Sequence, residues 1–141
     1  VPLPLKPVMT LKSVISHIKE AEAGDCISYG RTYTVSHPCR IATVTIGYAD
    51  GYSRLLSNKA YAIVHGVACP IVGRVCMDQF MVAIQSNPAH EIPEAEYGDE
   101  MIIVGCDGDA EITMDEMARL RGTINYEVAC GFGMRLDKVY V

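Results

Sequence analysis

Apolar and polar positions alternate in short runs along most of this chain. Residues 26–36 and 39–48 form two such runs, joined by His37-Pro38. Residues 60–64 and 67–72 flank His65-Gly66, a two-residue turn in which glycine accepts a positive φ, so a hairpin is predicted there. In residues 79–85, Phe80, Val82 and Ile84 share one face, against Gln79, Met81, Ala83 and Gln85. A loop is expected over 87–93, an apolar strand over 100–104 after Gly98-Asp99, and a last strand over 138–141. Residues 8–20 carry two signals. Leu11, Val14, Ile15 and Ile18 recur at helical spacing, yet Thr10, Val14, Ile15 and Ile18 are β-branched, which favours a pleated strand. A strand is the reading adopted, closed by a turn over 20–25.

One helix is well signalled. Thr113 and Glu116 have capping-box spacing, Asp115 and Glu116 suit a helix N-terminus, Arg119 and Arg121 suit its C-terminus, and Gly122 can stop it. A second short helical turn follows Thr123, with Asn125 as its expected cap. Short strands at regular spacing predict a mainly β fold: a partly closed, β-barrel-like domain with one or two short helices.

The length, 141 residues, suits one domain with a real core. The chain opens Val1-Pro2-Leu3-Pro4, and with Pro7 this reads as an interdomain connector over residues 1–7, with the domain proper over 8–141. A cut inside a longer protein is the expectation, with no signal peptide at its head. No apolar run reaches the roughly 18 residues of a membrane-spanning helix. Net charge is −5, and no Lys or Arg falls between Arg74 and Arg119. Ten acidic residues lie between Glu91 and Glu116, which argues against nucleic acid or an anionic membrane as partner. A solvated acidic surface explains them equally. The six cysteines form no C-x-x-C pair and the four histidines are scattered, so free thiols in a reducing cytoplasm are expected, and no metal site.

Candidate chemistry sits in tyrosine-glycine loops: Ser28-Tyr29-Gly30-Arg31, Gly47-Tyr48-Ala49-Asp50-Gly51-Tyr52 and Asn125-Tyr126-Glu127. A phenol becomes a proton carrier when nearby positive charge stabilises its anion, and Arg31, Arg54 and Arg74 are close in sequence to these loops. The competing reading of each tyrosine is a half-buried packing residue. In Val72-Gly73-Arg74-Val75-Cys76-Met77-Asp78-Gln79, two charges enter an apolar context, as an internal ion pair or as site residues.

Taken together these motifs resemble the C-terminal domain of alanine racemase, a pyridoxal-phosphate enzyme family. The matching segments are Leu5-Lys6-Pro7-Val8-Met9, Ser28-Tyr29-Gly30-Arg31-Thr32-Tyr33, Ile46-Gly47-Tyr48-Ala49-Asp50-Gly51, Pro70-Ile71-Val72-Gly73-Arg74-Val75-Cys76-Met77-Asp78-Gln79 and Thr123-Ile124-Asn125-Tyr126-Glu127-Val128, in family order. The resemblance implies a homodimer with shared active sites and a small amino acid as substrate. It implies a separate N-terminal barrel that carries the cofactor on a lysine; none of Lys6, Lys12, Lys19, Lys59 and Lys138 matches that lysine. By the same match, Tyr29 looks like the catalytic tyrosine that enters the partner subunit's site. Met77 resembles the residue whose N–H holds the substrate carboxylate, and Tyr126 the phenol on the cofactor phosphate. Tyr48, Arg54, Arg74, Asp78 and Ile124 resemble residues lining the substrate entrance. Residues 129–138 depart from the family pattern, where only Arg135 and Lys138 fit, and residues 85–98 look longer than usual. Two alternatives stay open: a racemase of the same fold acting on serine or other amino acids, and a non-catalytic β domain for dimerisation or ligand binding.

Overall fold

A computed structural model describes residues 3–84 and 94–141; the loop expected over 87–93 lies outside the described residues. Among the described residues, nine strands and two α-helices follow in chain order. Strand β1 (Leu11–Ala21) is the long corner of the structure. Its first part pairs antiparallel with β8 (Glu100–Asp107), and its second part pairs with β4 (Cys39–Val44). An irregularity between Ile15 and His17 separates residues that face inward from a strict period of two. That break explains the helix-like spacing of apolar residues in a segment that is a strand.

The remaining sheet strands are β5 (Tyr61–Val64), β6 (Val67–Pro70), β7 (Phe80–Ile84) and β9 (Ala110–Ile112). Their order is β6-β5-β8-β1-β4-β7, with β9 added on β8. The two ends of this order meet: Ile71 bridges Val82, and the Val72 N–H donates to the Met81 carbonyl at 2.9 Å. The sheet therefore curls into a nearly closed barrel, which leaves few unpaired edges.

Two apolar layers follow from the alternation of β4 and β7. Ala42, Val44, Phe80, Val82 and Ile84 point into the main core with Ile15, Ile63 and Met101. Ile41, Cys39, Met81 and Ala83 point the other way, into a second cluster with Ile27, Val35 and Val72. The second face of β7 is thus buried at Met81 and Ala83, rather than polar along its length. A small hairpin, β2 (Cys26–Ile27) with β3 (Tyr33–Thr34), covers this second layer. Each buried aliphatic side chain contributes about 1.5–3 kcal/mol, so the hairpin is tied down by its own Ile27 and by Val35.

Helix α1 (Met114–Arg121) begins and ends as the sequence signals. The Glu116 N–H donates to Thr113 Oγ1 at 3.0 Å, and Gly122 leaves the helix with φ 80°. Helix α2 (Asn125–Gly131) starts one residue earlier than expected, so Asn125 is inside it rather than its cap. The Asn125 amide donates instead to Asp115 of α1 at 2.8 Å, joining the two helices. Three other expectations need correction. Residues 26–36 are broken by a 3-10 turn, and residues 39–48 stop being strand at Val44. Residues 138–141 form no strand and are exposed, because the edge strands already meet each other.

Candidate active site

Four loops carrying the candidate residues are fixed to one another at a single end of the barrel. The first is the tip of the β2–β3 hairpin. Tyr29–Arg31 form a 3-10 turn with positive φ at Ser28 (66°), Gly30 (71°) and Arg31 (50°). Left-handed backbone at Ser28 and Arg31 is unfavourable and persists only where surroundings impose it. The imposing contacts are with residues 73–76. Ser28 Oγ donates to the Arg74 carbonyl at 2.8 Å, and Gly73 packs so tightly that a Cβ there would lie 2.6 Å from the Ile27 carbonyl oxygen. At the base of the tip Arg31 faces the Cys26 thiol, and this guanidinium holds that thiol below its usual range. The chain direction leaves Tyr29 72% exposed.

Tyr48–Asp50 form a second 3-10 turn, set against the third loop. The Tyr48 and Ala49 N–H groups donate to the carbonyls of Cys76 and Met77, both at 3.0 Å. Gly47 makes this possible, since a Cβ there would lie 2.3 Å from both carbonyl oxygens. Asp50, 6% exposed, accepts from the Gly47 N–H at 2.9 Å and pairs with Arg135 at 3.3 Å. Tyr52 of the same motif is a core residue, with its ring 4.9 Å from that of Phe80. Burial pushes its phenol well above the usual range. The packing reading is therefore right for Tyr52, whereas Tyr29 and Tyr48 are exposed.

Met77 is 53% exposed, and its N–H finds no acceptor among the described residues. Asp78 is exposed and does not pair with Arg74. Its partner is Arg135 at 2.7 Å, whose guanidinium is held above its usual range by Asp78 and Asp50. The internal Arg74–Asp78 pair, one of the two readings of this segment, is thus replaced by a clip that ties two loops to the C-terminal segment. Arg54, in a 3-10 turn Arg54–Leu56, and half-buried Arg74 have no ion-pair partner among the described residues.

The fourth loop enters α2. A Cβ on Gly51 would lie 1.9 Å from the Gly131 carbonyl oxygen, so α2 packs directly on the Tyr48 loop. Val128 anchors the helix in the main core, while Ile124 and Tyr126, 76% exposed, face away from it. The phenols of Tyr29, Tyr48 and Tyr126 make no hydrogen bond with any described residue. Three exposed phenols, the Met77 N–H and the exposed Arg54 are thus offered outward from interlocked loops. Asp50, Asn58, Ser28 and Arg135 support this arrangement and were not singled out as site residues from the sequence. Asp50-Gly51 was legible only as a turn, and nothing local marks Arg135 as the partner of residues so distant in the chain.

A family model described as alanine racemase, C-terminal domain, matches residues 8–140. The chain belongs to that family. "Alanine racemase 1" of Clostridium acetobutylicum is 45% identical over 139 residues, covering 99% of this chain and 35% of the relative. The solved alanine racemase of Clostridium difficile 630 superimposes with a TM-score of 0.87 at 44% identity, over 99% of this chain and 34% of that one. The alanine racemase from Bacillus anthracis, solved with bound L-Ala-P, gives a TM-score of 0.84 at 41% identity, over 96% and 33%. The chain thus spans about a third of the length of the alanine racemases it matches. Its nearly closed barrel with two helices is the alanine racemase C-terminal fold.

Proposed function

We propose that this chain is the tyrosine-bearing domain of a pyridoxal-phosphate-dependent racemase that interconverts L- and D-alanine. The observation that carries the reading is the outward, unpartnered set of Tyr29, Tyr48, Met77 and Tyr126 on interlocked loops. Such groups are completed by a surface from outside the domain: a second copy of the enzyme, whose site receives Tyr29. The donor set suits an anionic ligand. Tyr126 Oη donates to the cofactor phosphate, the Met77 N–H binds the substrate carboxylate, and Arg54 and Arg74 draw that carboxylate through an entrance lined also by Tyr48, Asp78 and Ile124. The cofactor's lysine lies outside this chain.

Pyridoxal phosphate, when bound, supplies an electron sink that makes the substrate α-hydrogen acidic. Inverting the α-carbon then takes proton removal on one face and return on the other. Tyr29 Oη holds or releases the proton on the L face, and the opposing base belongs to another part of the enzyme. Tyr29 is well suited to this: its backbone is imposed by two neighbouring segments, residues 57–58 and 73–76, so the phenol is aimed rather than merely tethered. No described helix is long and apolar enough to cross a membrane, and all six cysteines are free. We place the enzyme in the cytoplasm, with no nucleic acid or membrane contact by this domain.

In the complete enzyme, Tyr29→Phe lowers L-to-D turnover by about 10²–10⁴-fold, the contribution of one positioned acid–base group, while the cofactor's absorbance stays in place. Near-normal L-to-D rates in that variant sink the role. Comparing rates on alanine, serine and lysine separates an alanine enzyme from a broader racemase.

A further inference from the structure

Between the Arg54–Leu56 turn and β5, two consecutive side chains reach out to the loop that supports Tyr29. Ser57 Oγ accepts from the Val75 N–H at 2.9 Å, and Asn58 Oδ1 accepts from the Gly73 N–H at 2.6 Å. They take the N–H groups that a neighbouring strand would otherwise take. The other side of the same segment is held by Ser28, through the Arg74 carbonyl. Asn58 does one thing more. Its Nδ2 donates to Thr32 Oγ1 at 3.1 Å, at the end of the Tyr29 turn. Asn58 itself adopts φ 57°, a conformation that asparagine tolerates better than most residues. A single carboxamide therefore spans two loops: one end fixes Gly73, against which Ile27 and Ser28 pack, and the other end fixes Thr32.

We propose that Asn58 is a positioning residue for Tyr29, setting the orientation of its turn relative to residues 73–75. This deepens the racemase reading and rests on it. Asn58 touches neither substrate nor cofactor in this assignment; it acts through the Tyr29 backbone. The geometry makes its side chain bifunctional, so a residue that keeps the backbone but lacks the amide loses both ends at once. Asn58→Gly is that variant. Thr32→Val removes only the Thr32 end and preserves shape. In Asn58→Asp, a carboxylate accepts from the Gly73 N–H and from the Thr32 hydroxyl, so both ends are retained.

The test uses the complete enzyme with L- and D-alanine. Asn58→Gly and Thr32→Val each lower kcat about three- to tenfold, the range of one or two modest hydrogen bonds, with KM changed less than twofold. Asn58→Asp recovers most of the loss. In the Tyr29→Phe background neither change lowers the residual rate further, since the group they position is gone. Solvent exchange of the α-hydrogen falls for L-alanine relative to D-alanine in Asn58→Gly, a bias that a general loss of folding does not produce. If Tyr29→Phe is inactive while Asn58→Gly and Thr32→Val keep full kcat, this inference alone is overturned. Additive losses in the Tyr29→Phe background overturn it as well. An active Tyr29→Phe overturns both this inference and the racemase reading beneath it.

Discussion

Two tight turns in this barrel reverse the chain through left-handed backbone, for opposite reasons. The β5–β6 turn uses His65 at φ 48° and Gly66 at φ 75°, and its two strands pair residue for residue from Val64–Val67 outward. Its conformation is local: sequence and turn chemistry are enough to form it. The Tyr29 turn has positive φ at Ser28, Gly30 and Arg31, and its flanking strands pair at only two positions each. It is imposed from residues 57–58 and 73–76, far away in sequence. The ordinary turn is cheap: turn chemistry favours its backbone, and its two distant contacts, the Gly66 N–H to Asp107 Oδ2 at 2.7 Å and His65 Nε2 to Asp99 at 2.8 Å, are added to a conformation already favoured. The turn that carries Tyr29 is strained and over-determined, a combination characteristic of places where geometry serves chemistry.

That contrast is sharpest at the glycines. Gly73→Ala puts a Cβ within 2.6 Å of both the Ile27 carbonyl oxygen and Ser28 Cβ at φ 80°, atoms fixed to the backbone with no flexible chain end to yield. The change destabilises the enzyme by about 3 kcal/mol in urea unfolding and also lowers activity. Gly66→Ala meets nothing nearer than the Asp107 carbonyl oxygen at 3.6 Å, so only the φ of 75° is unfavourable. It destabilises by about 1 kcal/mol and leaves kcat unchanged. Equal effects of the two substitutions would dissolve the comparison.

A smaller effect reports on the base of the Tyr29 turn. The Cys26 thiol is held below its usual range by Arg31, whereas burial pushes Cys69 up to about 11. Iodoacetamide near neutral pH alkylates Cys26 well before Cys69, and Arg31→Ala slows the Cys26 reaction. An unchanged rate in Arg31→Ala would mean that the guanidinium does not sit against the thiol.

The smallest effect belongs to the local turn. His65 Nε2 lies 2.8 Å from Asp99, and the His65 bond and the Glu96 N–H hold that carboxyl below its usual range. A carboxyl whose folded pKa is depressed stabilises the fold above its unfolded value, near 4, and loses that contribution as pH falls through the folded value. Asp99→Asn therefore costs less than about 1 kcal/mol at pH 7, because the pair is largely solvated, and the difference from the parent closes below about pH 4. Activity is unaffected.

The same contrast explains what could be read from the residues alone. The His65-Gly66 hairpin and helix α1, from its Thr113 cap to Gly122, depend on neighbours in sequence and were legible. Strand β1 was legible from its β-branched residues despite a bulge that disturbs its period. The break at Ser28–Arg31 was not, because nothing local asks for positive φ at a serine and an arginine. Strand β9 was missed, being three residues long and paired only to β8. The false strand over 138–141 arose from apolar residues that find no edge to join. The candidate site residues were named through motif resemblance, whereas the residues that support them were not. Arg135 meets Asp50 and Asp78 only in three dimensions, and Asn58 is marked by no pattern of its own.

The central claim is that Tyr29 carries the proton on one face of the substrate. Its most direct test is α-hydrogen exchange in D₂O by the complete Tyr29→Phe enzyme, followed separately for each enantiomer. D-alanine is expected to exchange its α-hydrogen through the opposing base without turning into L-alanine, while L-alanine exchanges at least about a hundredfold more slowly than in the parent. Exchange of L-alanine as fast as D-alanine in that variant would contradict the claim.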